Sequence, residues 1–164
     1  PEALARLASR GGVFAVLGNH DVWTDSDRVA TGLDAAGIVV LRDAATPLDV
    51  GGARLWLAGI DDVGRTNRPG AHCDAFAGRW EEALARGAAM LDALPDDEAR
   101  ILLVHNPDVN EVLTARRVDL ALSGHTHGGQ VRLPLVGAPL LPSCYGAKYA
   151  GGLAYAPRWP VYVN

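Results

Sequence analysis

Cysteine is nearly absent: Cys73 and Cys144 are the only two, far apart and in no C-x-x-C pattern. That gives no support to a disulfide framework or a thiolate zinc site, and both thiols are expected to be free and without chemistry. An excess of positive charge is absent too. Fifteen Lys and Arg against nineteen Asp and Glu leave a formal net charge of -4, so capture of nucleic acid by charge alone is excluded and no nucleic-acid partner is expected. No apolar run approaches the roughly 18 residues that cross a bilayer. No signal peptide opens the chain, but the first residue is Pro1 rather than Met. The native N-terminus is therefore expected to lie upstream, with any membrane anchor it carries, and localisation stays open between cytoplasm and membrane surface of a bacterial-type cell. A nucleotide-binding module without hydrolysis is disfavoured, because neither a Walker-type nor a G-x-G-x-x-G loop occurs.

What is there is an ordinary globular composition, 49% hydrophobic and 21% charged over 164 residues, enough for one domain with a sizeable core. Glu2 to Ser9 reads as a short helix stopped by Gly11-Gly12. Val13 to Leu17 is a continuous apolar run, the pattern of a strand buried on both faces, and a polar loop Gly18-Asn-His-Asp21 follows it. Ser26 to Ala36 has helical periodicity with Gly37 placed to end it, and Ile38 to Leu41 is strand-like. Leu48 to Ile60 reads as a hairpin about Gly51-Gly52, closed by Asp61-Asp62. Gly64 to Gly78 is loop-like, Arg79 to Leu94 helical, Ile101 to Val104 another buried-type strand. A short helix near Asp108 to Ala115, a strand at Val118 to Leu122 and a Pro- and Gly-rich tail with a β-like Val161 to Val163 complete the chain. Strands alternating with helices, plus a hairpin, predict an α/β layered fold with mixed sheets.

Of the five histidines, His20, His105, His125 and His127 follow the C-terminal end of an apolar strand. Loops at that edge converge on a crevice in layered α/β folds, so imidazoles delivered there from three strands point to metal binding. His125 and His127 lie among Gly124, Gly128 and Gly129, where a glycine-rich turn can aim two rings at neighbouring ions. Asn19 offers an amide oxygen suited to Mn, Mg or Fe. His20, between Asn19 and Asp21, is placed to act as a general acid. Alone, Gly-Asn-His-Asp also fits a turn before a helix, His-x-His is no more specific and a His before Pro says little; the combination, each on a strand end, is what carries weight. His72 is read as an ordinary loop residue. Asp61 and Asp62 fit a turn as well as a place near the site, which their position after a strand also suggests.

Gly18-Asn19-His20-Asp21, then Leu103-Val-His-Asn-Pro-Asp108, then Ser123-Gly-His-Thr-His-Gly-Gly-Gln-Val131 together resemble the last three motifs of the calcineurin-like metallophosphoesterase superfamily, in its YkuE/YaeI-like phosphodiesterase branch. The resemblance implies a layered α-β-β-α sandwich and hydrolysis of a phosphoester substrate at a dinuclear centre of Mn, Fe, Zn or Mg. It implies that Asn19, His105 and His125 bind one ion and His127 the other. His20 would protonate the leaving group, supported by Asp21, while a bridging water attacks phosphorus in line between ions about 3.5–4 Å apart.

The family's D-x-H and G-D-x-x-D motifs do not occur in this sequence. Residues 1–164 are therefore expected to be the C-terminal part of a single metallophosphoesterase domain whose first strands and carboxylate ligands lie elsewhere. Close cations repel, and a bridging carboxylate offsets part of that charge. Alone, the chain is expected to hold at most one ion and to have little or no hydrolytic activity. The rival reading is a non-catalytic metal-binding or scaffold protein that has lost the first two motifs.

Overall fold

The computed structural model describes residues 4–7, 9–64, 79–129 and 141–164. A small parallel sheet pairs β1 (Val13–Ala15) with β2 (Ile38–Val40). A larger one has the order β3 (Ala44–Val50), β4 (Ala53–Ile60), β5 (Ala99–Val104), β6 (Leu120–Ser123), β8 (Pro160–Val163) and β7 (Gly152–Tyr155). Its four inner strands run parallel, and the edges β3 and β7 are antiparallel. The fold is mixed α/β, as expected.

Helix α2 (Ser26–Asp34) covers the small sheet, while α3 (Arg79–Asp92) lies over β3 and β4. Two glycines let these layers approach. A Cβ on Gly59 would stand 2.4 Å from Leu41 Cβ and 2.8 Å from Val16 Cγ1, where the sheets meet. One on Gly87 would stand 2.6 Å from Ile60 Cδ1, beneath α3. The main core fills the helix side of the large sheet, with Ile60, Leu102, Val104, Val161 and Val163 packed against Trp80 and Leu91.

Arg100 also points to that side and is fully buried. Its guanidinium donates to the carbonyls of Leu91 at 3.0 Å, Leu94 at 2.7 Å and Pro95 at 2.9 Å, and to Asp96 Oδ1 at 2.9 Å. It thus satisfies carbonyls left over at the end of α3.

The opposite face is thinner, which corrects one expectation. The residues of β1 are half-buried rather than buried on both sides, and Ile101 and Leu103 of β5 are only partly buried. Among the described residues, two strands face six. Over β7 and β8 the same face leaves Leu153, Tyr155 and Tyr162 exposed.

The Gly51-Gly52 hairpin forms with both glycines at positive φ, 62° and 83°, as a two-residue turn of this kind requires. Its first arm begins earlier than expected, at Ala44, and tolerates Pro47 because β3 is an edge. Of the expected helix Glu2 to Ser9, the described residues Leu4–Arg6 form a 3-10 turn, and part of the span lies outside the described residues. The polar loop after β1 is instead a helix, α1 (Asn19–Thr24). The expected loop at Gly64 to Gly78 lies mostly outside the described residues, with His72 and Cys73, as does the first part of the tail.

Candidate metal and proton-donor site

Asn19, His20 and Asp21 form the first turn of α1, directly after β1. Asp21 starts that helix: its Oδ2 accepts the Gly18 N–H at 2.8 Å, one half of a reciprocal cap. No Ser or Thr stands at Gly18 to signal a helix start, which is why the sequence reads as a loop. The Asp21 carboxylate is thereby turned to the backbone. Among the described residues no hydrogen bond joins it to His20.

Asn19 is buried beneath two imidazoles. His105 Nε2 lies 3.0 Å and His125 Nδ1 3.2 Å from Asn19 Oδ1, and the two nitrogens are 3.3 Å apart. The atoms come from both sheets: Asn19 follows β1, His105 follows β5 and His125 follows β6. Among the described residues no three His, Cys, Asp or Glu converge as a metal cluster; the convergent set is two histidines and an amide. Donors about 2.0–2.1 Å from a shared ion stand roughly 2.8–3.4 Å from each other in octahedral to tetrahedral arrangement. The triangle has those edges, so the residues present fit one divalent cation.

The surroundings hold the rings in place. Gly18 lies flat against His105, and a Cβ there would be 2.9 Å from three ring atoms. Burial pushes the His105 imidazole below its ordinary range, with His127 and His20 adding to the effect and Asp21 opposing it. The neutral ring is the form that ligates.

The Gly-His-Thr-His-Gly-Gly stretch is two successive tight turns. Thr126 N–H donates to Gly124 C=O at 2.8 Å, with His125 between them at φ 69°, a strained γ-turn. Gly129 N–H then donates to Thr126 C=O at 3.0 Å, with His127 and Gly128 at φ 55° and 65°, a turn with both central residues left-handed. Both histidines therefore occupy backbone that L-residues seldom adopt. His127 is exposed, one residue beyond the buried Thr126.

After β4 come Asp61 and Asp62. Asp61 accepts Arg42 Nε at 2.8 Å and belongs to a surface network with Asp27. Asp62 is buried and accepts Gly64 N–H at 2.7 Å. Burial raises its pKa to about 6, Gly64 opposes, and the charges of Asp61 and Asp21 add. Further along the His105 loop, buried Asp108 accepts Ser143 Oγ at 2.6 Å and Cys144 N–H at 2.7 Å, tying that loop to the tail. Between the sheets a cleft of about 220 Å³, lined by Phe14, Val16, Leu103, Leu122 and Ser123, opens beside His105.

Sequence reasoning passed over Trp23, whose ring packs on His20 with centroids 4.8 Å apart at 54°. The i, i+3 spacing would have shown it had α1 been recognised. It also passed over Gly18 as the floor of His105.

The calcineurin-like phosphoesterase family profile matches residues 1–129. The chain is 35% identical over 155 residues to phosphodiesterase YaeI of Escherichia coli, covering 93% of this chain and 50% of that protein. It is 33% identical over 163 residues to the uncharacterized metallophosphoesterase YkuE of Bacillus subtilis, covering 98% and 51%. A bovine transmembrane protein with a metallophosphoesterase domain is 30% identical over 155 residues, covering 89% and 33%. No solved structure matches. The chain spans about half the length of YaeI and YkuE. No helix among the described residues is long and apolar enough to cross a membrane. The match along residues 1–129, together with these identities, makes the chain a member of the calcineurin-like phosphoesterase family.

Proposed function

We propose that the chain supplies the nitrogen and amide ligands and the proton donor of a dinuclear phosphodiesterase centre, and is inactive alone. The supporting observation is the convergence of Asn19 Oδ1, His105 Nε2 and His125 Nδ1 at 3.0–3.3 Å. These atoms would hold one divalent cation, Mn, Fe, Zn or Mg. His127, on the next turn, is assigned to the second. Bound ions of this kind polarise phosphoryl oxygens and make water nucleophilic at neutral pH.

The chain's own residues do the rest. His20, exposed beside the triangle, donates a proton to the leaving oxygen as the P–O bond breaks. Asp21 fixes the turn that presents His20, through Gly18 N–H. Buried Asn19 is a neutral ligand, adding no negative charge to repel the phosphate. YaeI's name, phosphodiesterase, favours a diester substrate.

The test uses this chain and a full-length protein, with Mn²⁺ and bis(4-nitrophenyl) phosphate. The full-length protein hydrolyses the diester and this chain binds Mn²⁺ without turnover; His125→Ala abolishes both Mn²⁺ binding by the chain and turnover by the full-length protein. Full activity in His125→Ala would sink the assignment, and a full-length protein that binds Mn²⁺ without turning over any diester would favour a scaffold.

A further inference from the structure

We infer that Trp23 is the positioning residue for His20, and that the turn from Asp62 to Gly64 holds Trp23 in place; this rests on the reading of His20 as proton donor. Among the described residues the His20 imidazole makes no hydrogen bond, and the neighbouring carboxylate of Asp21 is committed to Gly18 N–H. The ring contact that orients the imidazole is the Trp23 indole, 4.8 Å away between centroids and tilted by 54°. His20 and Trp23 stand three apart on α1 and so share a face of the helix. An exposed imidazole without such a neighbour would spread over its staggered rotamers.

The indole also has Gly64 for a neighbour. A Cβ on Gly64 would stand 3.2 Å from Val22 Cγ1 and 3.4 Å from Trp23 Nε1, so this turn passes beside α1, and its φ of 75° suits glycine. Gly64 N–H donates to Oδ1 of the buried Asp62 at 2.7 Å. The result is a series of neighbours from β4's end to His20: Asp62, Gly64, Trp23, His20. It gives Asp62 a place beside the site without contact to the ligand triangle, and the indole is 49% exposed.

A proton donor matters most when the departing oxygen is a poor leaving group. A 4-nitrophenolate leaves with little help, whereas an alkoxide needs the proton. In the Mn²⁺-loaded full-length protein, Trp23→Ala should lower kcat about two- to tenfold on a dialkyl phosphodiester, whose only leaving group is an alkoxide, the scale of one aromatic contact. KM should hold, kcat on the 4-nitrophenyl leaving group should change less than about twofold, and Trp23→Phe should restore the loss. In metal-free chain, the His20 Cε1 proton should carry a ring-current shift that disappears in Trp23→Ala and persists in Trp23→Phe.

Failure separates by variant. If His20→Ala shows no leaving-group-selective loss, the proton-donor reading falls. If His20→Ala shows it and Trp23→Ala does not, or Trp23→Ala slows both leaving groups equally, the positioning role falls alone. An unchanged His20 resonance in Trp23→Ala overturns it as well.

Discussion

Replacing Asp62 with Asn tests the electrostatics of the site independently of catalysis. The carboxyl is 6% exposed and its pKa stands at about 6 against an ordinary 3.8, chiefly through burial. Holding it ionised in the folded state therefore costs about 3 kcal/mol relative to the unfolded chain. Below pH 3.8 both states carry the proton and the penalty vanishes. As pH rises through the interval to about 6 the unfolded state loses its proton first, so folding is progressively penalised, and above it the whole penalty applies. Asn keeps an oxygen for Gly64 N–H and carries no charge. Urea denaturation in EDTA, from pH 4 to 8, should show Asp62→Asn more stable than the parent by about 1–3 kcal/mol at pH 7.5, with the gap closing toward pH 4. A gap of constant size across that range, or a variant less stable at pH 7.5, would refute the reasoning and make Asp62 a well-solvated or ion-paired group.

Other expectations follow from individual contacts. Gly18→Ala leaves the backbone unstrained at φ −109° but drives a Cβ to 2.9 Å from the His105 ring. Mn²⁺ affinity by calorimetry should fall about 10- to 100-fold, as when a ligand's support is removed. His125→Gly should gain roughly 1 kcal/mol in stability by relieving φ 69° while losing metal binding, seen as a higher apo Tm with no Mn²⁺-induced rise. Arg100→Met should cost about 3 kcal/mol or more in urea, because carbonyls at the end of α3 lose their donors.

Much of this was legible in the sequence, for reasons that differ by residue. The Gly51-Gly52 hairpin and the helix ended by Gly37 announce themselves through local backbone chemistry, with Gly37 at φ 78°. The meeting of His105 and His125 follows from parallel pairing of β5 and β6, whose ends share one edge. Helix α1 was hidden because its cap is the third helical residue, Asp21, rather than a hydroxyl at its start. Partial burial of β1 was hidden because an apolar run reports affinity for a core, not how many strands arrive to enclose it. The raised pKa of Asp62 depends on burial that no local pattern encodes.

The ligand triangle has a consequence for folding as well as chemistry. Asn19 is 86 residues from His105 and 106 from His125, and each lies on a different sheet from Asn19. An ion bound there would be a removable cross-link between layers that otherwise touch over few strands. Closing a loop of about 100 residues restricts the unfolded chain by roughly 4–5 kcal/mol when the link is covalent, and binding of a metal feeds directly into folding free energy. Chelation should therefore loosen the β1–β2 layer first: its amides would exchange faster in hydrogen-exchange measurements while those of β5 and β6 stay protected.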